Sequence, residues 1–256
     1  MNDRRREPDL RRAVEALDRT GSGRGAAHLN ACVRCGLCGE SCHVFLSNPE
    51  PANLPAAKSE EVARVYRRRH TFLGRTVPWL VGARDLTADD LARLSESVFG
   101  RCTGCGRCGL HCSVGLDVAG VIRIGRAMVA AAGRVPEGLR RTVENQLTTG
   151  NQMAVTAREF VETAEWLAED LRRESGDPGA RLPVDEDGAR VLYLVNPREV
   201  KFFPLSLHAA AGVFPAAGES WTLSSRCFDV TNYGFFAADD GAAAELTRRA
   251  IDEARR

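Results

Sequence analysis

One cysteine pattern occurs twice in this chain and constrains its fold more than any other feature. The pattern, C-x-x-C-x-x-C-x-x-x-C, accounts for eight of the nine cysteines among 256 residues. Three cysteines at steps of three can wrap a tight loop around one face of a metal centre, while the fourth starts a helix that carries its thiolate away. The first copy comprises Cys32, Cys35, Cys38 and Cys42, and the second comprises Cys102, Cys105, Cys108 and Cys112.

The fourth cysteine of each copy predicts a crossed arrangement of two 4Fe–4S clusters. In two-cluster ferredoxin runs with this spacing, the fourth thiolate binds the other cluster. We therefore expect two ligand sets, which are Cys32, Cys35, Cys38 and Cys112 for one cluster, and Cys102, Cys105, Cys108 and Cys42 for the other.

Zinc and disulfides are the alternative explanations of the cysteines. Structural zinc sites pair two separated C-x-x-C knuckles, which leaves no role for the third and fourth cysteines of each copy. Disulfides are typical of secreted chains, but residues 1–10 carry positive charge without an apolar segment or a cleavage site behind them. We therefore expect a reducing, cytoplasmic environment and iron–sulfur clusters.

Charge and apolar composition argue against two classes of function. The formal net charge is +1 and aromatic residues make up 6% of the chain, so no nucleic-acid-binding surface is expected. No segment is apolar enough to span a bilayer, since even residues 121–132 are interrupted by Arg123 and Arg126. We expect any membrane contact to come through a partner.

Arginines concentrate in two stretches of the chain. Their simplest interpretation is a solvated helix face or a basic terminus, and the alternative is a docking site for an acidic partner. The first stretch holds Arg4, Arg5, Arg6, Arg11 and Arg12, and the second, between the motifs, holds Arg64, Arg67, Arg68, Arg69 and Arg75.

Apolar periodicity and capping residues predict a mostly α-helical chain. We interpret residues 21–26 as a flexible helix stop, and not as a dinucleotide-binding loop, because no strand precedes them. Helices are expected over residues 9–19, 59–72, 87–99, 117–132, 137–148 and 156–173.

A different pattern begins after residue 188 and predicts a small α/β module. Strands at residues 191–195 and 220–223, with helices at 205–214 and 241–255, give a parallel β-α-β-α order. Two parallel strands need cover on both faces, so this module should pack on the helical domain or on a partner. The predicted domains are an N-terminal helix and linker (1–26), a helical two-cluster ferredoxin domain (27–175) and the partial α/β module (189–256).

Residues 27–175 resemble the C-type iron–sulfur protein of heterodisulfide reductase. The resemblance rests on the spacing of both motifs, on the helical insert and on the turn Val114-Gly115-Leu116-Asp117. Residues 189–256 are similar to the opening of the cysteine-rich domain that follows the dicluster domain in the D-type protein of the same family. The resemblance implies an electron-transfer subunit in the cytoplasm, peripheral to the inner face of the membrane through a partner. Flavoproteins, electron-transferring flavoproteins or a membrane quinone module are the implied partners.

One departure from this family changes the expected function. The resemblance places a paired motif, C-C-G, where this chain has Ser224-Ser225-Arg226-Cys227-Phe228-Asp229. Because one cysteine remains, we do not carry over the family's disulfide-reducing cluster. We expect Cys227 to be a small buried residue. The alternative is a catalytic iron–sulfur oxidoreductase that acts on a disulfide or a hydroxy acid through Cys227.

Other residues near the motifs are expected to support the clusters rather than to catalyse. His43 and His111 flank ligand cysteines and are interpreted as surface residues or as contacts of the ligands. Cations beside the cysteines would raise the cluster potentials if they pointed inward, but they could equally face water; these are Arg34, Arg101 and Arg107. The sequence contains no P-loop, zinc-protease motif or nucleophile elbow.

Overall fold

The computed structural model describes residues 6–229 and 231–256. Arg4 and Arg5 of the basic N-terminal stretch lie outside the described residues. The chain divides into two compact units, residues 1–136 and 137–256. Helices dominate both units, which confirms the prediction of a mostly α-helical protein.

The first unit contains eight helices among its described residues. They are α1 (Arg6–Thr20), α2 (Arg24–Ala31), α3 (His43–Ser47), α4 (Pro55–His70), α5 (Phe72–Thr76), α6 (Ala88–Ser95), α7 (Arg107–Leu110) and α8 (Val118–Ala131). Turns of 3₁₀ helix occupy Leu37–Gly39, Pro51–Asn53 and Pro78–Val81, and a π-helical turn, Glu96–Gly100, follows α6.

Helix α8 forms the centre of this unit. Asp117 caps it, since its Oδ1 accepts the Gly120 N–H at 2.7 Å. Its buried apolar residues, among them Ile122 and Met128, face a ring of neighbours that includes α1, α2, α4, α6 and α7. Gly125 lets those neighbours approach closely, because an added Cβ would lie 3.0 Å from side-chain atoms of Val62 in α4.

Two local predictions in this unit differ from the structure. Residues 24–26 belong to α2 and not to a flexible linker, because Leu29 on the same short helix is buried against the core. No helix begins at Cys112. The second loop places α7 before that cysteine and continues through a turn to Asp117, which starts α8. Cys42, by contrast, is the N-cap of α3, as expected.

The second unit contains six helices and two short strands among its described residues. They are α9 (Glu137–Thr149), α10 (Ala157–Ser175), β1 (Val191–Leu192), α11 (Pro197–Phe202), α12 (Leu205–Ala216), β2 (Trp221–Thr222), α13 (Tyr233–Ala237) and α14 (Asp240–Ala254). The strands pair in parallel, with Val191 opposite Trp221, as the α/β pattern predicted. They are shorter than expected, and the pairing continues only as isolated bridges, such as Val195 with Asp229.

Helices α9 and α10 pack with this second unit. Phe160 of α10 stacks on Phe228 at 4.4 Å between ring centroids, and both side chains are about 1% exposed. The Gln146 side chain in α9 donates a hydrogen bond to Asp229 Oδ2 at 2.9 Å. The division after residue 136 therefore differs from the expected boundary near residue 175. An amphipathic helix shows which of its faces is buried but not which element covers that face.

Within the part of the chain that the structure describes, no helix combines the length and apolarity that crossing a bilayer requires.

Replacement of Gly125 by valine should lower the free energy of unfolding of the first unit by about 1–3 kcal/mol, because the added methyl groups overlap α4 and Val98. Denaturant unfolding of anaerobic protein, followed by circular dichroism, measures the change. Gly138→Ala is the control, since a Cβ at Gly138 meets no atom within 4 Å. An equal loss of unfolding free energy in both variants would contradict the inference that close packing requires glycine at position 125.

Candidate metal centre

The two cysteine loops have left-handed residues at the same two positions. The residue before the second cysteine is left-handed in both copies, with φ of 59° at Arg34 and 73° at Gly104. The residue after the second cysteine is also left-handed, with φ of 86° at Gly36 and 78° at Gly106. Glycine adopts this region without steric cost, and Arg34 adopts it despite its side chain. The duplicated spacing thus produces the same turn on either side of the second cysteine of each loop.

Side chains that flank Cys42 connect the first loop to the second. Ser41 Oγ lies 3.3 Å from the Arg107 carbonyl oxygen, to which it donates a hydrogen bond. His43 Nε2 lies 3.4 Å from Thr103 Oγ, next to Cys102. Both neighbours of Cys42 therefore contact residues of the opposite loop.

The surroundings of Cys112 show the reciprocal contact. His111 Nε2, which precedes this cysteine, lies 3.3 Å from a carboxylate oxygen of Glu40 in the first loop. The two motifs, separated by a long insert in the sequence, thus face each other in the structure.

The cysteines differ in exposure within each loop. Cys38 and Cys108 are buried, Cys35 and Cys105 are exposed, and the remaining four motif cysteines are intermediate. Each loop therefore has one sulfur inside the protein and one at its surface.

The buried thiols lie close to other cysteines. Burial raises the pKa of Cys38, and the charges of Cys32 and Cys35 raise it further. Burial raises the pKa of Cys108 to about 12, with further contributions from Cys102, Cys38 and Cys105. Thiolates that repel one another in this way are stabilised by a bound cation.

The surrounding backbone also suits sulfur ligands. The Gly104 N–H donates to Cys102 Sγ at 3.4 Å, and the Ala56 N–H is hydrogen-bonded to the thiol of Cys38. Such N–H donors are a common means of stabilising thiolate-bound iron. A soft donor set of thiolates with backbone N–H groups fits an iron–sulfur centre.

Two buried cations hold the backbone that leads into the second loop. Lys58 in α4 is 1% exposed, and its Nζ donates a hydrogen bond to the Arg101 carbonyl. Arg126 in α8 is 6% exposed. Its Nε and Nη2 donate to the carbonyls of Val98 and Cys102 at 2.8 and 2.6 Å. Neither role was predicted from the sequence, in which Lys58 has no distinguishing motif and Arg126 only interrupts an apolar stretch.

Arg126 brings positive charge close to Cys102. Burial lowers the pKa of its guanidinium, and the negative charge of Cys102 opposes this shift. The guanidinium also lies 5.1 Å from the centroid of the Phe99 ring. An arginine remains protonated at neutral pH even with a lowered pKa, so the cation persists beside the loop.

The three arginines singled out in the sequence lie at the surface. Arg34 and Arg107 are exposed, and Arg34 contacts Glu60 at 3.4 Å. Arg101 reaches away from the loop to Glu50 at 3.2 Å. His43 and His111 are exposed as well, in agreement with the surface interpretation.

Cys227 lies in the second unit, after β2. It is half-buried and lines a cavity of about 160 Å³ together with Gln146 and Asp229. Burial raises the pKa of its thiol, and Glu253 adds to this shift. The Ser224 hydroxyl accepts the Cys227 N–H at 3.0 Å, so the segment that replaces the paired cysteine motif is an ordered turn.

Comparisons with known proteins agree with this donor set. Residues 28–116 match the 4Fe-4S dicluster domain family. Over 166 residues, 65% of this chain and 30% of the relative, the chain is 29% identical to the Hdr-like menaquinol oxidoreductase iron-sulfur subunit 2 of Archaeoglobus fulgidus. It is 28% identical over the same share of the chain to the Hdr-like menaquinol oxidoreductase iron-sulfur subunit of Archaeoglobus profundus, covering 29% of that protein. No solved structure is significantly similar.

Residues 28–116 are thus similar to 4Fe–4S dicluster domains, and the predicted resemblance of the chain to heterodisulfide-reductase-like iron–sulfur proteins is confirmed. The alignments span less than a third of the length of these curated relatives.

Removal of a buried cation should destabilise the second loop. Arg126→Met or Lys58→Met is expected to lower the free energy of unfolding by about 1.5–3 kcal/mol, because backbone carbonyls lose hydrogen bonds from a charged donor. Unfolding of anaerobic holoprotein, together with its iron content, measures the loss.

Arg34→Met is the matched control, since this arginine belongs to the first loop but its side chain is 61% exposed. Exposed ion pairs contribute at most about 1 kcal/mol. If Arg34→Met lowered the free energy of unfolding as much as Arg126→Met does, burial of the cation would not explain the loss of stability.

Proposed function

We propose that this chain is an electron-transfer subunit that relays single electrons through two 4Fe–4S clusters. The observation that carries the proposal is the mutual approach of two identical cysteine loops, bridged by Ser41 and by His43. A pair of adjacent one-electron centres is suited to passing electrons between partners. The relationship to iron–sulfur subunits supports the same role.

The ligands divide between the clusters in the crossed pattern. One set is Cys32, Cys35, Cys38 and Cys112, and the other is Cys102, Cys105, Cys108 and Cys42. The contacts of Ser41 and His43 with the second loop support this division, because Cys42 lies between those two residues. The contact of His111 with Glu40 supports the reciprocal assignment of Cys112.

The cations near the second loop bear on electron uptake. Each cluster accepts one electron at a time, and reduction adds one negative charge to a group that is already anionic. Lys58 and Arg126 lie beside the residues that lead into this loop and favour the reduced state. Cys35 and Cys105 are exposed, so each centre has an edge that a partner can approach.

The partners belong to a larger redox complex. The two relatives are named as subunits of menaquinol oxidoreductases. We place this chain between a flavoprotein, such as an electron-transferring flavoprotein, and a membrane quinone module or another acceptor. In this assignment it acts on the cytoplasmic side and needs no substrate site of its own.

The alternative function is catalysis on a disulfide or a hydroxy acid through Cys227. The specific observation that favours it is the cavity of about 160 Å³ that Cys227 lines. Against it, burial and Glu253 raise the pKa of the thiol, which keeps it protonated and poorly nucleophilic at neutral pH. We therefore favour the relay.

Pairs of cysteine substitutions test the crossed ligand sets. In the crossed pattern, Cys42→Ser/Cys102→Ser damages a single cluster, whereas Cys42→Ser/Cys32→Ser damages both. The first variant should retain about half of the roughly eight irons expected for the wild type. Iron analysis and electron paramagnetic resonance of anaerobically reduced protein measure the difference.

An uncrossed arrangement would reverse the result, because Cys42 and Cys32 would then serve the same cluster. A wild-type protein with far fewer than eight irons, or with zinc in their place, would overturn the two-cluster proposal itself. Anaerobic reconstitution before analysis keeps loss of iron during purification from imitating this result.

Cys227→Ala distinguishes the relay from the catalytic alternative. With reduced methyl viologen as the donor, we expect one-electron reduction of both clusters and no thiol release from an organic disulfide, in the wild type and in the variant alike. The residue is half-buried in a small cavity, so alanine should be tolerated. Disulfide turnover that Cys227→Ala abolishes while both clusters stay intact would favour catalysis.

A further inference from the structure

Two short helical segments between the cysteine loops leave four large apolar side chains in solvent. Phe72 and Trp79 are each 78% exposed, Leu80 is 71% exposed and Leu73 is 48% exposed. Phe72 and Leu73 belong to α5, which packs against the 3₁₀ turn Pro78–Val81 that carries the other two. We call these four residues the 72–80 surface. An exposed apolar surface of this kind marks an interaction site.

The backbone beneath the 72–80 surface is firmly held. Thr71 caps α5 by accepting the Gly74 N–H at 3.1 Å. Gly74 passes so close to α4 that an added Cβ would lie 2.0 Å from the Arg67 carbonyl oxygen. Beyond the turn, the Arg84 N–H bonds to the carbonyl of Arg64 at 3.3 Å. The apolar side chains therefore project from an ordered support and not from a loose loop.

Arginines are frequent in the segment that carries these side chains, and Arg75 lies between the two apolar pairs in the sequence. Residues 62–84 include six arginines and no aspartate or glutamate. Carboxylates pair with five of these arginines. Arg68 contacts Asp85, Arg69 contacts Asp18, Arg84 contacts Asp90, and Arg64 and Arg67 share Glu60. Arg75 is exposed, and its Nε donates to the Arg69 carbonyl at 2.7 Å, so that contact leaves its charge uncompensated.

We propose that the 72–80 surface binds directly to an anionic lipid membrane. Aromatic and leucine side chains insert at the boundary between headgroups and acyl chains, where Trp is favoured, and arginines meet the lipid phosphates. Phe72 and Trp79 protrude with more than three quarters of their surface in solvent, and a bilayer accepts such side chains without a complementary pocket. From the sequence alone, by contrast, membrane contact was expected only through a partner.

The inference rests on the exposed apolar side chains and on the charge of Arg75. It does not depend on which cysteines bind metal or on the electron-transfer role. The test is cosedimentation of anaerobic holoprotein with phosphatidylglycerol-containing vesicles and with pure phosphatidylcholine vesicles. Binding to the anionic vesicles should be stronger and should weaken as salt is raised. Phe72→Ser/Trp79→Ser should reduce it at least about tenfold, and Arg75→Glu should reduce it less.

The second unit offers a matched control. Phe202 ends α11 and Phe203 follows it, and both are exposed, at 61% and 66%. This helix carries Glu199 as well as Arg198 and Lys201, so its charges partly cancel. Phe202→Ser/Phe203→Ser should bind vesicles like the wild type. Iron content and circular dichroism verify that each variant is folded. A second measurement, which does not depend on the serine variants, is quenching of tryptophan fluorescence by brominated lipid. We expect quenching in the wild type and none in Trp79→Phe.

If the wild type binds vesicles, any of three results would still overturn the proposal. They are equal binding to neutral and anionic vesicles, full binding by Phe72→Ser/Trp79→Ser, and equal loss in Phe202→Ser/Phe203→Ser. Absence of vesicle binding by the wild type, together with loss of an acidic protein partner in Phe72→Ser/Trp79→Ser, would assign the surface to that partner and also refute membrane binding.

Discussion

The approach of two thiolate-rich loops is the constraint on which the first unit depends. Thiolates repel one another, and the loops contribute few apolar side chains, so surrounding helices must hold them in place. Helix α8 does this by packing against the other helices of the unit and by sending Arg126 to carbonyls at the start of the second loop. Lys58 adds a second buried donor from α4. Helix α4 in the insert and helix α8 after the second motif therefore both support the candidate metal centre.

Local chemistry made much of this arrangement predictable from the sequence. The cysteine spacing predicted the loops, and the capping residues Thr87 and Asp117 begin their helices as expected. Contacts between distant residues could not be predicted in this way. Lys58 and Arg126 occupy apolar stripes of their helices, where a cation is unfavourable unless a carbonyl oxygen accepts a hydrogen bond from it. Which carbonyl does so depends on tertiary structure.

The second unit shows why the domain boundary was harder to locate. A sheet of two parallel strands cannot bury enough apolar area by itself, and α10 shares its apolar core. Phe160 stacks on Phe228, which follows directly after Cys227. The segment at the position where the family resemblance places a paired cysteine motif thus contributes Phe228 to a packed core. That role accounts for an ordered turn around a single, half-buried thiol.

Burial separates two kinds of arginine in the first unit. Arg126 is desolvated and directed to backbone carbonyls, so its charge acts on the interior, close to Cys102. Arg75 stands in solvent among exposed aromatic and leucine side chains, so its charge acts outward. Arginines of the first unit therefore act in two directions that composition alone cannot distinguish. Arg126 in α8 places its charge beside the candidate metal centre, and Arg75 in the insert presents a cation beside apolar groups, as the proposed membrane contact requires.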